Sequence, residues 1–219
     1  MPVKFTRKSW TSSTGYYPSE KNGRPINYSS TIERDFFYLL DYYPWILGYE
    51  EQPFTIQALL DQKKFHSYTP DCLARHATRG LQIYECKSSK ALESADTQKQ
   101  VRMGAQYATE NQAEFHLITE LDIRQGFELQ DIKLMWRYRN WQVTPSEINF
   151  AKNMISTKPN LTINELLAVG KDRPSPLILP QVLAMLYRKH IHVDLSLPLG
   201  HESILVLDFV KRSIFPWHA

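Results

Sequence analysis

The stretch SYTPDCLARHATRGLQIYECKSS, residues 67–89, decides the fold because it places acidic side chains in two strand-like segments. Asp71 lies near the start of this stretch, and Glu85 lies near its end, two residues before Lys87. Successive side chains of a strand alternate between the two faces of a sheet, so Glu85 and Lys87 point the same way. If the two strands pair, Asp71 and Glu85 share a face, where their charges repel unless something positive lies between them. The pattern therefore predicts a cation beside these carboxylates.

Cys72 and Cys86 are the two cysteines of the chain, and each follows one of these acids directly. The alternation of the strands puts both thiols on the face opposite the carboxylates. Two cysteines at this spacing form neither a disulfide framework nor a Cys-x-x-Cys metal motif. We expect both to be reduced and buried in the core.

The composition indicates a folded protein without membrane segments. The chain has 219 residues, of which 42% are hydrophobic, and a formal net charge of +3. No apolar run approaches the roughly 18 residues that a membrane span needs. The first 25 residues lack the apolar core of a signal peptide. We therefore expect a cytoplasmic protein with no membrane partner.

The first large segment, residues 26–141, has the pattern of an α/β domain. Ser30 stands three residues before Glu33, which predicts a capping box and a helix that starts near Thr31. After that helix, the stretches PFTIQALL, FHSYTPDCLAR and LQIYECKS predict a three-stranded meander, SADTQKQVRMGAQYATEN a helix, and FHLITE a fourth strand.

The second segment, residues 142–219, predicts three helices followed by a hairpin, the order of a small winged-helix domain. The helix-start residues are Thr144, Pro145 and Glu147 for the first helix, and Thr162 and Glu165 for the second. LILPQVLAMLYRK predicts the third helix, and HIHVDLSLPLGHESILVLDF predicts two strands around a turn.

Oxygen-rich clusters such as the one predicted here suit Mg²⁺ or Mn²⁺, which keep several waters and accept a substrate phosphate. Lys87 beside such a cation could orient the attacking water and offset charge that develops during phosphoryl displacement. Glu33 could complete the site if its helix packs along the sheet edge. Each residue also has a structural alternative, since Asp71 could end a strand, Glu33 could serve its capping box, and Glu-x-Lys occurs on solvated sheet faces.

The order of these four residues resembles the PD-(D/E)xK nucleases, a fold shared by restriction enzymes and recombination nucleases. ERDFFYLLDYYPWILGYEEQPFTI, followed by YTPDCLA and YECKSS, is similar to TnsA, the endonuclease subunit of a heteromeric bacterial transposase. The resemblance implies a restriction-endonuclease-like mixed sheet flanked by helices, with a winged-helix C-terminal domain. It further implies a Mg²⁺-dependent cut at the 5′ ends of transposon DNA, with a TnsB-type transposase and a TnsC-type ATPase as partners.

The resemblance also implies a role for each residue of the motif. Glu33 corresponds to the helix acid, Asp71 and Glu85 to metal ligands, and Lys87 to the catalytic lysine. Glu33 is a further metal ligand in this assignment. Some TnsA proteins have glutamine at the position of Glu85, and a carboxylate there is the stronger ligand. The protein would act in the bacterial cytosol, at the nucleoid.

Several basic residues are candidates for DNA contacts. Residues 1–25 form a basic arm that we expect to be flexible, with five cations against Glu20. The cations are Lys4, Arg7, Lys8, Lys21 and Arg24. Arg188 and Lys189 end the helix that would enter the major groove, although cations there also suit a helix C-terminus.

Two other stretches offer chemistry, but a structural interpretation competes with it. His190 and His192 lie on one face of a predicted strand, but a pair without a third ligand is a weak metal site. KLMWRYRNW, residues 133–141, could grip a nucleic-acid backbone, although a connecting helix with core aromatics is favoured.

Two other functions remain open at this level. A stand-alone restriction-like or junction-resolving nuclease of the same fold would cut DNA without partners. Alternatively, the carboxylates could be vestigial in a catalytically inactive DNA-binding or scaffold subunit.

Overall fold

The computed structural model describes residues 13–60 and 64–208, which fall into two compact units. The first unit ends at Ile123 and the second begins at Arg124, whereas the sequence predicted a change between residues 141 and 142. The boundary lies earlier because the helix Glu128–Arg137 contacts the helix Leu179–Tyr187 of the second unit.

The secondary structure is as follows. The strands are β1 (Gly15–Ser19), β2 (Arg24–Tyr28), β3 (Ile46–Glu51), β4 (Ile56–Leu60), β5 (Lys64–Tyr68), β6 (Cys72–His76), β7 (Gly80–Cys86) and β8 (Glu114–Ile118). The helices are α1 (Thr31–Tyr42), α2 (Ala95–Glu110), α3 (Glu120–Ile123), α4 (Glu128–Arg137), α5 (Pro145–Thr157), α6 (Ile163–Gly170) and α7 (Leu179–Tyr187).

The main sheet of the first unit is mixed and has the strand order β3-β6-β7-β8. β3, β6 and β7 pair antiparallel, whereas β7 and β8 are parallel. Parallel neighbours need a crossover connection, which α2 supplies here. α2 approaches β8 closely at Gly104, where a Cβ atom would come within 2.2 Å of the Phe115 ring. The predicted mixed α/β fold is thus confirmed.

The predicted three-stranded meander is wrong in its pairing. FHSYTPDCLAR contains two strands, because β5 ends at Tyr68 and β6 begins at Cys72. β4 and β5 form a separate two-stranded sheet, while β6 joins the main sheet. Pro70 lies at the change of sheet, and a proline has no N–H to continue a ladder. The sequence prediction also omitted β3.

The hairpin β1–β2 corrects the prediction of a flexible arm for the part of the arm that the structure describes. Its turn ends in Gly23, whose φ of 64° lies in the left-handed region that glycine adopts without strain. Tyr17 and Ile26, one on each strand, are almost fully buried. These residues fold with the domain because the hairpin contributes to its core.

Two cations that the sequence assigned to the arm are engaged within the fold. The Lys21 Nζ atom donates to the carbonyl oxygens of Leu40 and Tyr43, at 2.5 Å each, and so caps the end of α1. The Arg24 guanidinium makes two hydrogen bonds to Glu51, at 2.9 and 2.7 Å. Both side chains therefore have hydrogen-bond partners inside the first unit.

The second unit contains the helices α4 to α7, and its predicted helix starts are confirmed. Thr144 and Glu147 form a reciprocal capping box before α5, as do Thr162 and Glu165 before α6. α7 is buried from Gln181 to its last residue, Tyr187.

The predicted C-terminal hairpin does not form extended strands within the described part of this unit. Two isolated bridges join Thr162 to Ile204 and His192 to Val206. In the segment between His192 and Ile204, the Asp194 carboxylate accepts from the Ser196 N–H and hydroxyl. This local turn competes with the pairing of two strands. The winged-helix architecture stays a prediction.

Among the helices that the structure describes, none combines the length and the hydropathy that crossing a membrane would take.

Candidate active site

Asp71 lies where the chain leaves the two-stranded sheet β4–β5 and enters the main sheet at β6. Its Oδ2 atom accepts a hydrogen bond of 2.7 Å from the backbone N–H of Cys86, at the end of β7. Its carbonyl oxygen accepts from the Gln52 N–H at 3.0 Å. The registered pair Cys72–Tyr84 puts the next position of each strand, Asp71 and Glu85, side by side.

Glu85 is a buried carboxylate of β7, with 1% of its surface exposed. Its Oε1 atom forms an ion pair with the Nζ atom of Lys87. Its Oε2 atom accepts a hydrogen bond of 2.5 Å from the hydroxyl of Tyr68. The ion pair confirms that Glu85 and Lys87 point to the same side of the strand.

Lys87 follows β7, and its backbone N–H donates to the carbonyl oxygen of Ile118 at 2.8 Å, which extends the pairing with β8. Burial alone would lower the pKa of its ammonium, but the charges of Glu85 and Asp71 more than offset this and raise the pKa. Lys87 therefore stays protonated at neutral pH.

Glu33 lies in the first turn of α1, as predicted, with the Ser30 hydroxyl accepting from its N–H at 3.1 Å. Its carboxylate accepts from the Ser29 N–H at 2.8 Å, and not from the Ser30 N–H as in the predicted capping box. Burial raises its pKa against these hydrogen bonds, and the charge of Glu85 adds to the increase. The helix acid therefore lies within electrostatic reach of the sheet residues.

The pKa of Asp71 depends on the charges of the other three motif residues. Burial is the largest cause that raises its pKa well above the usual value, and the charges of Glu85 and Glu33 follow. The hydrogen bond from Cys86 and the charge of Lys87 oppose this increase without cancelling it. Three carboxylates thus face one ammonium, an excess of negative charge that a bound cation would relieve.

The donor chemistry fits a hard divalent cation. Within the described residues, no three His, Cys, Asp or Glu side chains are arranged as a ready metal cage. Mg²⁺ does not need such a cage, because it commonly uses one or two carboxylates and completes its shell with water and substrate phosphate. Asp71 and Glu85, adjacent at two strand ends, could supply two such ligands.

The predicted role of the cysteines is confirmed. Cys72 and Cys86 are both reduced and buried. Burial raises the pKa of both thiols well above the usual value, which keeps them protonated. Neutral buried thiols act as small apolar side chains and take no part in the site.

The remaining candidates are basic residues that the sequence predicted to contact DNA. Lys4, Arg7 and Lys8 lie outside the described residues. Arg188 caps the end of α7, and Lys189 follows it with a φ of 62°.

His190 and His192 do not lie on a common strand, because His190 continues the turn after α7 and only His192 makes a bridge. In KLMWRYRNW, the Arg139 guanidinium stacks 3.7 Å above the Trp136 ring, so these two residues contact each other.

Sequence reasoning missed Tyr68, which contacts Glu85 directly. The residue appears within the quoted stretch, three positions before Asp71. A tyrosine next to acids in a strand could have been flagged, because a buried phenol usually donates to a nearby acceptor.

The mixed sheet, its flanking helices and the acidic residues at adjacent strand ends are consistent with the class of nuclease domains that the PD-(D/E)xK motif defines. Within that class, residues 43–120 match the family model described as TnsA-like endonuclease N terminal. The resemblance to the TnsA family is therefore confirmed over about a third of the chain. The match includes Asp71, Glu85 and Lys87 and begins after Glu33. No curated protein matches the chain.

Proposed function

We propose that the chain is a metal-dependent DNA endonuclease, the TnsA-type subunit of a transposase that cleaves the 5′ ends of a transposon. One observation carries the proposal: Asp71, Glu85 and Lys87 interact at neighbouring strand ends of a domain that matches the TnsA-like endonuclease model. Three largely buried carboxylates with one ammonium among them leave an excess of negative charge that a bound cation would offset.

Asp71 and Glu85 would hold Mg²⁺ or Mn²⁺, with Glu33 as the third acid. The cation supplies Lewis-acid activation of the phosphodiester and a water of lowered pKa. Lys87 is charged and lies against Glu85. Its ammonium can turn to a substrate phosphate, orient the attacking water and offset charge that develops at the phosphate oxygens.

The burial of Glu33 suits proton handling. Its raised pKa makes its carboxylate a stronger base than that of an exposed glutamate. Such a carboxylate could accept a proton from the attacking water. Its place in the first turn of α1 fixes it relative to the sheet, because its N–H and one carboxylate oxygen are both hydrogen-bonded there.

The proposed partners follow from the family assignment. The substrate is double-stranded DNA at transposon ends, cut together with a TnsB-type transposase that processes the other strand and with a TnsC-type ATPase. The predicted winged helix would contribute Arg188 and Lys189 to DNA contacts, and Lys4, Arg7 and Lys8 would add phosphate contacts. The protein would work in the bacterial cytosol, at the nucleoid.

A nicking assay tests the proposal with a matched pair of lysine variants. The full chain is incubated with transposon-end DNA and Mg²⁺, with and without the partner transposase. Lys87→Ala should reduce nicking by about 100-fold or more, because it removes a charge that stabilises the transition state. Lys90→Ala, which removes the same charge from an exposed position three residues away, should nick as the wild type does.

The assay also distinguishes the alternatives. Nicking that needs both Mg²⁺ and the partner agrees with a TnsA-type subunit. Nicking by the chain alone would indicate a stand-alone nuclease. DNA binding without nicking under any condition would indicate an inactive DNA-binding or scaffold subunit and would reject the proposal.

A further inference from the structure

We propose that Tyr68 is a positioning residue of the active site, which orients the Glu85 carboxylate for metal binding through its hydroxyl. The inference rests on the proposed function, since it assigns Glu85 to a metal. It adds a residue that lies outside the Asp, Glu-x-Lys motif and on a different sheet from Glu85.

The geometry of Glu85 depends on two neighbours, one on each carboxylate oxygen. Lys87 pairs with Oε1, and the Tyr68 hydroxyl donates to Oε2 at 2.5 Å. Because each oxygen of the Glu85 carboxylate has its own partner, the group cannot rotate about the Cγ–Cδ bond without losing one of the two contacts. Each oxygen keeps a second lone pair, so the hydrogen bond from Tyr68 remains compatible with a bound cation.

Tyr68 itself is held firmly. The residue is 4% exposed and packs in a small cluster with Ile56 of β4 and Met103 of α2. A buried phenol needs an acceptor for its hydroxyl, and the Tyr68 hydroxyl finds it in Glu85. A buried donor on a fixed ring defines one orientation for its acceptor.

The position of the two-stranded sheet β4–β5 would then matter for function, because this sheet holds Tyr68. β5 ends with Tyr68, and the chain crosses to the main sheet through Thr69 and Pro70 before it reaches Asp71. One short segment therefore carries both a proposed ligand and the residue that orients its neighbour. Partners of this kind around metal ligands typically contribute 10- to 100-fold to metal affinity.

The test uses two tyrosine-to-phenylalanine variants that are matched in burial and in chemistry. Tyr68→Phe removes only the hydroxyl that contacts Glu85. Tyr49→Phe is the control, because Tyr49 is 6% exposed and its hydroxyl donates to the Asp41 carboxylate at 3.1 Å. The readouts are thermal unfolding without metal and Mn²⁺ binding to the full chain, with free Mn²⁺ counted by electron paramagnetic resonance.

We expect Tyr68→Phe to weaken Mn²⁺ binding by about 10- to 100-fold, and Tyr49→Phe to leave it unchanged. In a Glu85→Gln background, the further change Tyr68→Phe should alter Mn²⁺ affinity by less than about twofold, because the hydroxyl acts through that carboxylate. The thermal midpoints of the two phenylalanine variants should fall by similar amounts.

The outcomes separate the two proposals. If the wild type binds Mn²⁺ and Tyr68→Phe binds it equally well, the positioning role is rejected and the nuclease proposal stands. A much larger loss of thermal stability for Tyr68→Phe than for Tyr49→Phe would make Tyr68 a structural residue and would also reject the inference. If the wild type binds no Mn²⁺, the metal-dependent nuclease proposal fails, and the inference fails with it.

Discussion

Asp41 and Asp71 are partly or fully buried aspartates of the same unit, and their surroundings differ completely. The Asp41 carboxylate accepts from the Ser19 hydroxyl, at 2.5 Å, and from the Tyr49 hydroxyl, at 3.1 Å. It also accepts from two backbone N–H groups, at 3.2 and 3.4 Å. Asp71 accepts one backbone N–H at its carboxylate and faces two other acids instead.

The difference separates a carboxylate that serves the fold from one that we propose serves a ligand. Four donors satisfy Asp41, and it connects α1 to the hairpin β1–β2. Asp71 has fewer donors than a buried charge requires, and its acidic neighbours make its ionised form unfavourable. A buried group with too few partners in the protein is a candidate for a partner that comes from outside.

The largest expected effect is on catalysis, from Asp71→Asn. The variant removes a proposed metal ligand and should reduce nicking by more than about 100-fold, the upper value for loss of an outer-shell group. It should unfold at the same temperature as the wild type or higher, because it also removes repulsion from Glu85 and Glu33. Nicking and thermal unfolding measure the two effects, with Asp96→Asn, an exposed aspartate, as the charge control.

A drop in thermal midpoint without a loss of nicking would place Asp71 with Asp41, among the structural carboxylates. The contrast with Asp41 would then not hold, because both aspartates would serve the fold.

In contrast to Asp71→Asn, Asp41→Ala should lower stability and leave metal binding unchanged. It leaves the Ser19 and Tyr49 hydroxyls and two N–H groups without their acceptor, which should lower the free energy of unfolding by about 3 kcal/mol. Urea unfolding measures the change. Mn²⁺ affinity, measured where the variant remains folded, should match the wild type, and a selective loss of metal binding would contradict the distinction.

Glu128 of α4 provides a third case, a buried acid that has neither donors nor acidic neighbours among the residues that the structure describes. It is 4% exposed, its Oε2 atom has no hydrogen-bond partner, and burial raises its pKa to about 8. The folded state therefore holds a proton that the unfolded state releases above its ordinary pKa of 4.5. The stabilising effect is complete below that value and is lost as the pH rises through about 8.

In this interval, the free energy of unfolding should fall by up to about 1.4 kcal/mol per pH unit through Glu128. Glu128→Gln, which resembles the protonated acid, should remove that part of the slope. Urea unfolding from about pH 5 to about pH 8 measures it. Asp131, whose pKa is raised to about 6, titrates in both proteins and cancels in the difference. Equal slopes in the two proteins would show that Glu128 is ionised in the fold.

Local patterns predicted the parts of this protein that depend on local chemistry. The capping residues fixed the starts of α1, α5 and α6, and strand alternation placed Glu85 and Lys87 on one side. The motif order predicted which acids meet, because paired strands bring fixed positions together. These features require only nearest neighbours along the chain or across one strand pair.

The errors concern long-range choices. The Asn22-Gly23 pair is a strong hairpin signal that the sequence prediction left within a flexible arm. The separation of β5 from β6 depends on where Pro70 falls relative to two sheets, and strand patterns alone do not specify the sheet to which a strand belongs. The contact from Tyr68 to Glu85 crosses between these sheets, so no spacing rule predicts it.

The parallel pairing of β7 with β8 has a consequence for the order of events during synthesis. Lys87 is tied to Ile118 by its backbone, and Glu85 lies opposite Leu117. The ribosome must therefore add about thirty residues after Lys87 before β8 exists, and a domain generally folds as a unit during synthesis. Until then the growing chain contains every acid of the proposed site but lacks the strand that fixes its lysine, so the nascent protein cannot complete that site ahead of the domain.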